Sequence, residues 1–301
     1  MERYLTDHAK ALLNSDNKTR IAEIENEAFI EHDGYARIYK RLEKLLQRAP
    51  RQGIGGMMLW GDTGLGKSSL LQNFKADHPD FVDDEGDPHK PVVYIPLNPG
   101  VTVKRVMLRI LDELKSPLSL SASMPAIEIT LYRSLQHYNT KMIIFDEIQH
   151  FVDTALPKQK SEFLNLLKDF GNMLNIPIVT CGLHSAAMNI ESDLQLLRRF
   201  HPFEQMQKWK YTNQFRTLLA NLEASFPLKH PSNLSDPAIA RFVVDRSGGI
   251  LDFVIKIITD AAIVAIESGE ERITLELLQD LNWNSPANLQ FNSEGVTSSR
   301  G

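Results

Sequence analysis

One octapeptide constrains this chain more than anything else in it: Gly61-Asp62-Thr63-Gly64-Leu65-Gly66-Lys67-Ser68. It fits G-x-x-x-x-G-K-[ST]. An apolar run, Met57-Met58-Leu59-Trp60, precedes it, and a helical pattern, Ser69-Leu70-Leu71-Gln72-Asn73-Phe74, follows. Strand, glycine loop and helix in that order form the setting in which this motif cradles phosphate. Glycines let successive backbone N–H groups turn toward the phosphates of a nucleotide. Lys67 supplies a point charge for the β- and γ-phosphates, and the Ser68 hydroxyl is a ligand for Mg²⁺. The helix that opens at Lys67 adds the field of its N-terminus. The expected nucleotide contacts are therefore Gly61, Asp62, Thr63, Gly64, Leu65, Gly66, Lys67, Ser68 and Ser69.

The rest of the chain reads in the same idiom. Val92-Val93-Tyr94-Ile95 is a second buried strand, stopped by Pro96 and Pro99. Met142-Ile143-Ile144-Phe145 is a third, and it ends at Asp146-Glu147. Hydrophobic residues followed by this acidic pair, roughly 80 residues after a phosphate loop, make a second nucleotide motif. Asp146 would serve the metal and Glu147 the attacking water. Ile176–Thr180 is a fourth strand, with Thr180 and His184 as polar groups expected at its tip, and Pro202–Met206 is a fifth. Between the strands run helical stripes. One is Val103, Val106, Met107, Ile110, Leu111 and Leu114; another is Phe163, Leu166, Leu167, Phe170 and Leu174. A serine-rich loop, 116–125, leads into a further helix through Tyr138, and the acidic stretch Asp77–Lys90 reads as an exposed connection. Short apolar strands alternating with amphipathic helices predict a five-stranded parallel sheet covered on both faces, with nucleotide beyond the carboxyl ends of the strands.

After Leu196-Leu197-Arg198-Arg199-Phe200 and the fifth strand the pattern becomes helical only, at about 212–224, 236–246, 250–266 and 274–282. The expected organisation is a helical extension over 1–52, a nucleotide-binding core over 53–207, a small helical lid over 208–283 and a polar tail over 284–301 that is expected to be disordered. In the extension, Tyr35, Ile38, Tyr39, Leu42, Leu45 and Leu46 fall at helical spacing. Arg37, Lys40, Arg41, Lys44, Arg48 and Arg51 make that helix and its exit basic, which reads as a solvated face.

Composition decides what remains. The net charge of −5 argues against a protein that coats nucleic acid by charge alone, so any such contact needs a local basic patch. The one cysteine, Cys181, excludes an internal disulfide and suits a reducing cytosol. No apolar run approaches the length of a membrane helix, and MERYLTDHAK has no apolar centre for a secretory signal, so a cytoplasmic protein without a membrane partner is expected.

The order of these features resembles that of AAA+ P-loop ATPases and, more narrowly, the TniB/TnsC family of transposition regulators. The resemblance spans roughly residues 20–282. It rests on Arg20-Ile21…Ile24 with Phe29-Ile30, GDTGLGKSS, PVVYIPLNPGVTVKRVMLRILDEL, IIFDE, IPIVTCG and LLRRF. It implies a protein that binds ATP and Mg²⁺, oligomerises with itself as a ring or helical filament on double-stranded DNA without sequence preference, and presents that assembly to a DDE transposase and a target-selecting partner. Hydrolysis, slow and regulatory, would dismantle the assembly. By position, Arg199 resembles the finger that reaches the γ-phosphate of a neighbouring subunit, with Arg198 as a rival. Lys104 resembles a DNA-backbone contact that Arg105 and Arg109 would extend. Two departures stand out. Gly182-Leu183 replaces the usual Gly-Thr after the fourth strand, leaving Thr180 or His184 as the polar sensor, and Asp252 follows Gly248-Gly249-Ile250-Leu251 where an arginine is usual, with Lys256 one turn on.

Two other functions fit the same core. A helicase loader or origin-binding ATPase would also join this core to DNA, although an origin binder would carry a DNA-reading helix-turn-helix after the lid. A nucleotide-dependent signalling switch would need no DNA, and the acidic net charge is its best support.

Overall fold

The computed structural model describes residues 5–26, 33–48, 55–153, 156–173 and 175–283. The expected tail, the Phe29-Ile30 pair, Arg51 and Leu174 lie outside them. The chain divides into two compact units, one over 34–207 and one made of 1–33 together with 208–301.

In chain order the elements are α1 (Asp7–Leu12), α2 (Asn17–Glu25), α3 (Asp33–Leu46), β1 (Met57–Trp60), α4 (Lys67–Asp77), β2 (Phe81–Val82), β3 (Pro88–His89), β4 (Val92–Pro96), α5 (Val103–Glu113), α6 (Met124–His137), β5 (Met142–Asp146), α7 (Gln149–Val152), α8 (Pro157–Met173), β6 (Ile178–Gly182), α9 (His184–Glu191), α10 (Leu194–Phe200), β7 (Glu204–Gln205), α11 (Asn213–Ser225), α12 (Pro237–Ser247), α13 (Leu251–Ser268) and α14 (Leu275–Asp280).

In the first unit five strands form one parallel sheet in the order β4-β5-β6-β1-β7. β1 therefore lies between β6 and β7, and β5 is separated from it by β6 alone. Successive residues of a strand point to opposite faces, which sorts the apolar runs into two layers. One row across the sheet is Met58, Thr180, Phe145 and Ile95. Its apolar members pack into a core with Val106, Met107, Ile110 and Leu111 of α5 and with α6 and α8. There Phe145 meets Phe163 edge-on at 6.0 Å and stacks with Phe170 at 6.3 Å. α4 buries Leu70, Leu71 and Phe74, and Tyr39 of α3 meets Phe74 edge-on at 5.2 Å. Such two-sided cover is why these strands are continuous in apolar residues.

The connection expected to be irregular between α4 and β4 carries a small antiparallel hairpin, β2–β3. Asp83 organises its turn, with Oδ1 accepting from the N–H groups of Glu85 at 3.0 Å and Asp87 at 2.8 Å, and Gly86 turns at φ +89°. Phe81 then stacks on His89 with ring centroids 4.6 Å apart. Acidic turn residues masked two strands too short to show a period.

The second unit is helical. α13 buries Leu251, Val254, Ile257, Ile258, Ala261, Ala262, Ala265 and Ile266 and packs on α2, α12 and α14. The N-terminal helices thus belong with elements more than 200 residues away. Their junction is a clasp. The guanidinium of Arg20, fully buried, donates to both carboxylate oxygens of Glu271 at 2.7 Å, to Pro227 O at 3.0 Å and to Asn17 Oδ1 at 2.8 Å. Bonded this way, Glu271 has its carboxyl lowered from 4.5 to about 2. Turn geometry calls for both glycines between α12 and α13, and space for the second as well. Gly248 and Gly249 have φ of +61° and +70°, and a Cβ on Gly249 would lie 2.1 Å from the carbonyl of Trp209. Asp252 occupies the first turn of α13, where a carboxylate meets the positive end of the helix dipole. Lys256 stands over the ring of Trp283, 5.7 Å from its centroid. Among the described residues no helix is long and apolar enough to cross a membrane.

Candidate nucleotide site

Strand β1 delivers the chain to Gly61, whose N–H continues the ladder onto Gly182 O at 3.3 Å. A side chain at this position would meet Met206 O at 2.4 Å, so only glycine lets the loop leave the sheet here. Gly64 and Gly66 take positive φ, +75° and +83°, and Gly66 caps α4. Among the described residues no carbonyl of the chain accepts from the N–H groups of 63–68, which leaves them as donors for an anion at a helix N-terminus. Lys67 is 5% exposed, and its ammonium donates to Gly61 O at 2.9 Å and Asp62 O at 2.7 Å. Those two carbonyls hold the charge over the loop. Ser68 is half-buried and Ser69 exposed, while Thr63 and Asp62 lie on the exposed crest and Leu65 is buried beneath it.

A contact outside the motif fixes the loop further. The Tyr35 hydroxyl of α3 donates to Gly66 O at 2.9 Å, the same oxygen that accepts the N–H of Leu70 at 3.0 Å. The sequence marked Tyr35 as an apolar member of a helix stripe, and nothing in that periodicity distinguished its hydroxyl.

The second motif arrives on β5. Asp146 is 1% exposed, with Oδ2 accepting from the Tyr94 hydroxyl at 2.6 Å and Oδ1 from the N–H of Glu147 at 2.8 Å. Burial, and then the neighbouring Asp146, raise the Tyr94 hydroxyl above its ordinary pKa, so it is a donor at any working pH. Burial also pushes the Cys181 thiol well up, which makes it an inert part of the sheet. Ser68 and Asp146 offer hydroxyl and carboxylate oxygens, the donor chemistry that suits a hard dication such as Mg²⁺. Each Asp146 oxygen keeps a lone pair beyond the bond it already accepts. The residues present fit that ion.

Glu147 follows with φ of +58°, an uncommon backbone for a residue with a side chain. Gln149 donates from Nε2 to Glu147 Oε2 and accepts at Oε1 from the N–H of Leu183 at 3.2 Å. His150 Nε2 stands 3.6 Å from the same Glu147 oxygen.

Thr180 departs from its expected position. The strand runs two residues further than its apolar run indicated, to Gly182, so Thr180 is its third residue. Its hydroxyl is fully buried and donates to Met58 Sδ at 3.0 Å, inside the core row. The polar group at the tip is His184, exposed at the start of α9 with its ring 5.0 Å from that of Trp60.

The remaining candidates sit on α5 and α10. Arg199, half-buried on α10, donates to Lys168 O at 2.8 Å, while Arg198 is exposed. Lys104, Arg105 and Arg109 share α5. Arg105 is exposed, Lys104 is half-buried, and Arg109 donates to Pro96 O at 3.1 Å at the end of β4.

A family model described as "Bacterial TniB protein" matches residues 20–211, well over half of the chain. No curated protein sequence matches it. Among solved structures the chain is similar to the Orc1 protein of Aeropyrum pernix in complex with DNA, at 18% identity and a TM-score of 0.57, covering 82% of this chain and 63% of that one. It is similar to Cdc6p of Pyrobaculum aerophilum at 16% identity and a TM-score of 0.61, covering 82% of this chain and 66% of that one. Domain III of the replication initiation protein DnaA of Thermotoga maritima aligns at 16% identity and a TM-score of 0.50, over 85% of this chain and 92% of that one. The chain spans slightly under two thirds of the first two. At these identities the likeness concerns the fold, which is that of AAA+ ATPases.

Proposed function

Since this chain belongs to the family described as bacterial TniB protein, we propose that it binds and hydrolyses ATP and uses the bound state to assemble on double-stranded DNA as a platform for a DDE transposase and a target-selecting partner. The observation that carries the reading is the convergence of Lys67, Ser68, Asp146 and Glu147 at the carboxyl ends of β1 and β5, with only the tip of β6 between them. Ligands of α/β sheets bind at that edge.

In this mechanism the loop N–H groups and Lys67 bind the β- and γ-phosphates, and charge-assisted bonds of this kind are about twice as strong as neutral ones. A magnesium ion held by Ser68 and Asp146 would supply charge neutralisation of the phosphates when bound. Tyr94 fixes the direction of the Asp146 carboxylate. Glu147 orients and deprotonates the attacking water. Arg199 of a neighbouring subunit would complete the site on assembly.

DNA contact falls to Lys104 and Arg105, with Arg109 held at the end of β4. A subunit of net charge −5 offering one to three phosphate contacts binds weakly alone. Each neutralised phosphate contributes a log–log salt slope of about −0.9, so a lone subunit shows a shallow dependence. An ATP-held ring or filament repeats the contacts and turns them into avidity. The test is fluorescence anisotropy on a random duplex at several salt concentrations, with and without a non-hydrolysable ATP analogue. Tight, salt-steep binding only with the analogue is expected. Equal affinity in both conditions refutes ATP gating, and no binding in either favours a nucleotide switch without DNA.

A further inference from the structure

We infer that Tyr35 is a positioning residue for the phosphate loop: its hydroxyl fixes the peptide plane between Gly66 and Lys67 and so aims the Lys67 N–H at the nucleotide phosphates. This deepens the ATPase reading above and rests on it. Tyr35 is 2% exposed, and its hydroxyl donates to Gly66 O at 2.9 Å. That oxygen is one end of a planar unit. The peptide bond from Gly66 to Lys67 is trans, so its carbonyl and its N–H point in opposite directions. A hold on the oxygen is therefore a hold on the hydrogen. Among the described residues no carbonyl of the chain accepts from the Lys67 N–H, which opens α4, where a helix presents donors to an anion.

The motif alone does not lock this plane. Gly66 takes φ of +83°, and glycine enters and leaves that region without steric cost. The N–H of Leu70, which donates to Gly66 O at 3.0 Å, is one restraint on the plane. The Tyr35 hydroxyl is a second, and together they fill both acceptor sites of the carbonyl. Hydrogen bonds in series polarise one another, so an amide that accepts twice at its oxygen donates more strongly from its nitrogen.

α3 in turn keeps the hydroxyl in place. Glu43 Oε1 stands 3.1 Å from Nε2 of His78, which caps the far end of α4. Arg41 donates to Pro202 O at 2.7 Å and to Oε1 of Glu204 on β7 at 2.5 Å. α3 thus touches α4 at its start and at its end and is tied to the edge strand of the sheet. All of these residues belong to the unit over 34–207. The helix cannot slide or turn without carrying the Tyr35 hydroxyl with it. A brace of this kind acts on phosphate binding in the ground and transition states alike, so it changes KM and spares kcat.

The experiment uses the full chain with Tyr35→Phe, which keeps the ring and deletes the hydroxyl. Tyr39→Phe is the control, since it deletes a hydroxyl of the same helix that bonds Asp77 instead. A fluorescent ATP analogue is titrated, ADP and inorganic pyrophosphate compete for it, and steady-state phosphate release and thermal melting by circular dichroism are recorded. Tyr35→Phe is expected to weaken all three ligands by one common factor, roughly three- to tenfold, the net worth of one hydrogen bond. KM should rise by the same factor with kcat within about twofold of wild type, and Tyr39→Phe should leave affinities and KM unchanged. Equal losses in the two variants overturn the inference, because α3 then acts only as a general support. So does a loss for the ATP analogue that spares pyrophosphate, a fall in kcat at constant KM, or a Tyr35→Phe protein without a cooperative melt. If the wild-type chain binds neither the analogue nor pyrophosphate, the ATPase reading fails and this inference with it. If the wild-type chain binds both and Tyr35→Phe is indistinguishable from it, the inference alone falls.

Discussion

Replacing Arg20 by methionine should destabilise the helical unit by about 3 kcal/mol, near the low end of the range for removing one partner of a buried ion pair. The geometry sets that figure. Arg20 is fully buried and makes four hydrogen bonds, two of them to a carboxylate whose side chain is only 8% exposed. Its removal leaves Glu271 with Lys229, whose ammonium is 3.2 Å away but whose side chain is 53% exposed. That remaining cation softens the loss without cancelling it. With a urea dependence of about 1–3 kcal/mol per molar, the unfolding midpoint should fall by roughly 1–3 M. Circular dichroism during urea titration reads it. Adding Glu271→Gln should recover much of the loss, since a neutral partner no longer leaves a buried charge. Acid provides an independent reading. Glu271 has its carboxyl at about 2 when folded against 4.5 ordinarily, so between those values the unfolded chain binds more protons. The clasp's contribution is complete above pH 4.5 and is lost as pH falls toward 2. Arg20→Met should flatten the fall in stability over that window. A midpoint within 0.3 M of wild type, with the acid limb unchanged, would refute the claim that this pair ties the N-terminal helices to the unit.

Lys67→Ala should abolish binding of a fluorescent ATP analogue, because Lys67 is the cation within the loop; unchanged affinity would remove it from the site. Tyr94→Phe should slow turnover by roughly tenfold while leaving the fold intact, through loss of the bond that orients Asp146 and is worth about 1.5 kcal/mol. It is read as kcat against magnesium concentration, and wild-type kinetics would refute the role. Lys104→Ala should weaken ATP-dependent DNA binding and reduce the salt slope by about 0.9 per subunit in contact, with nucleotide binding by the isolated subunit unchanged.

Much of the core was legible because its signals are local. Gly61 through Ser68 and Asp146-Glu147 each sit at the end of an apolar run, and a strand that stops at a glycine loop or an acidic pair announces both fold and edge. The fourth strand shows where such reading stops. Cys181 and Gly182 extend it beyond the apolar run, because Gly182 continues the pairing with Trp60, and that extension moves Thr180 from tip to interior. Tyr35, Tyr94 and Gln149 were illegible as site residues for another reason. Each acts across a distance the sequence does not encode: a helix onto a loop carbonyl, a neighbouring strand onto a carboxylate, the short helix α7 onto the next strand's end. The pairing of Arg20 with Glu271 is the extreme case, since no periodicity relates two residues at opposite ends of the chain.

That pairing also sets an order in time. On a ribosome adding about 5–20 residues per second, Arg20 emerges roughly 12–50 s before its partner 251 positions later. Throughout that interval α2 has a buried-type arginine and no carboxylate to receive it, while the whole of 34–207 is made in between. The nucleotide-binding unit can close as soon as its own last strand, β7, is available. The helical unit must wait until residue 271 has been made. A nascent chain stalled before that point would hold a finished phosphate loop and an unfinished partner unit.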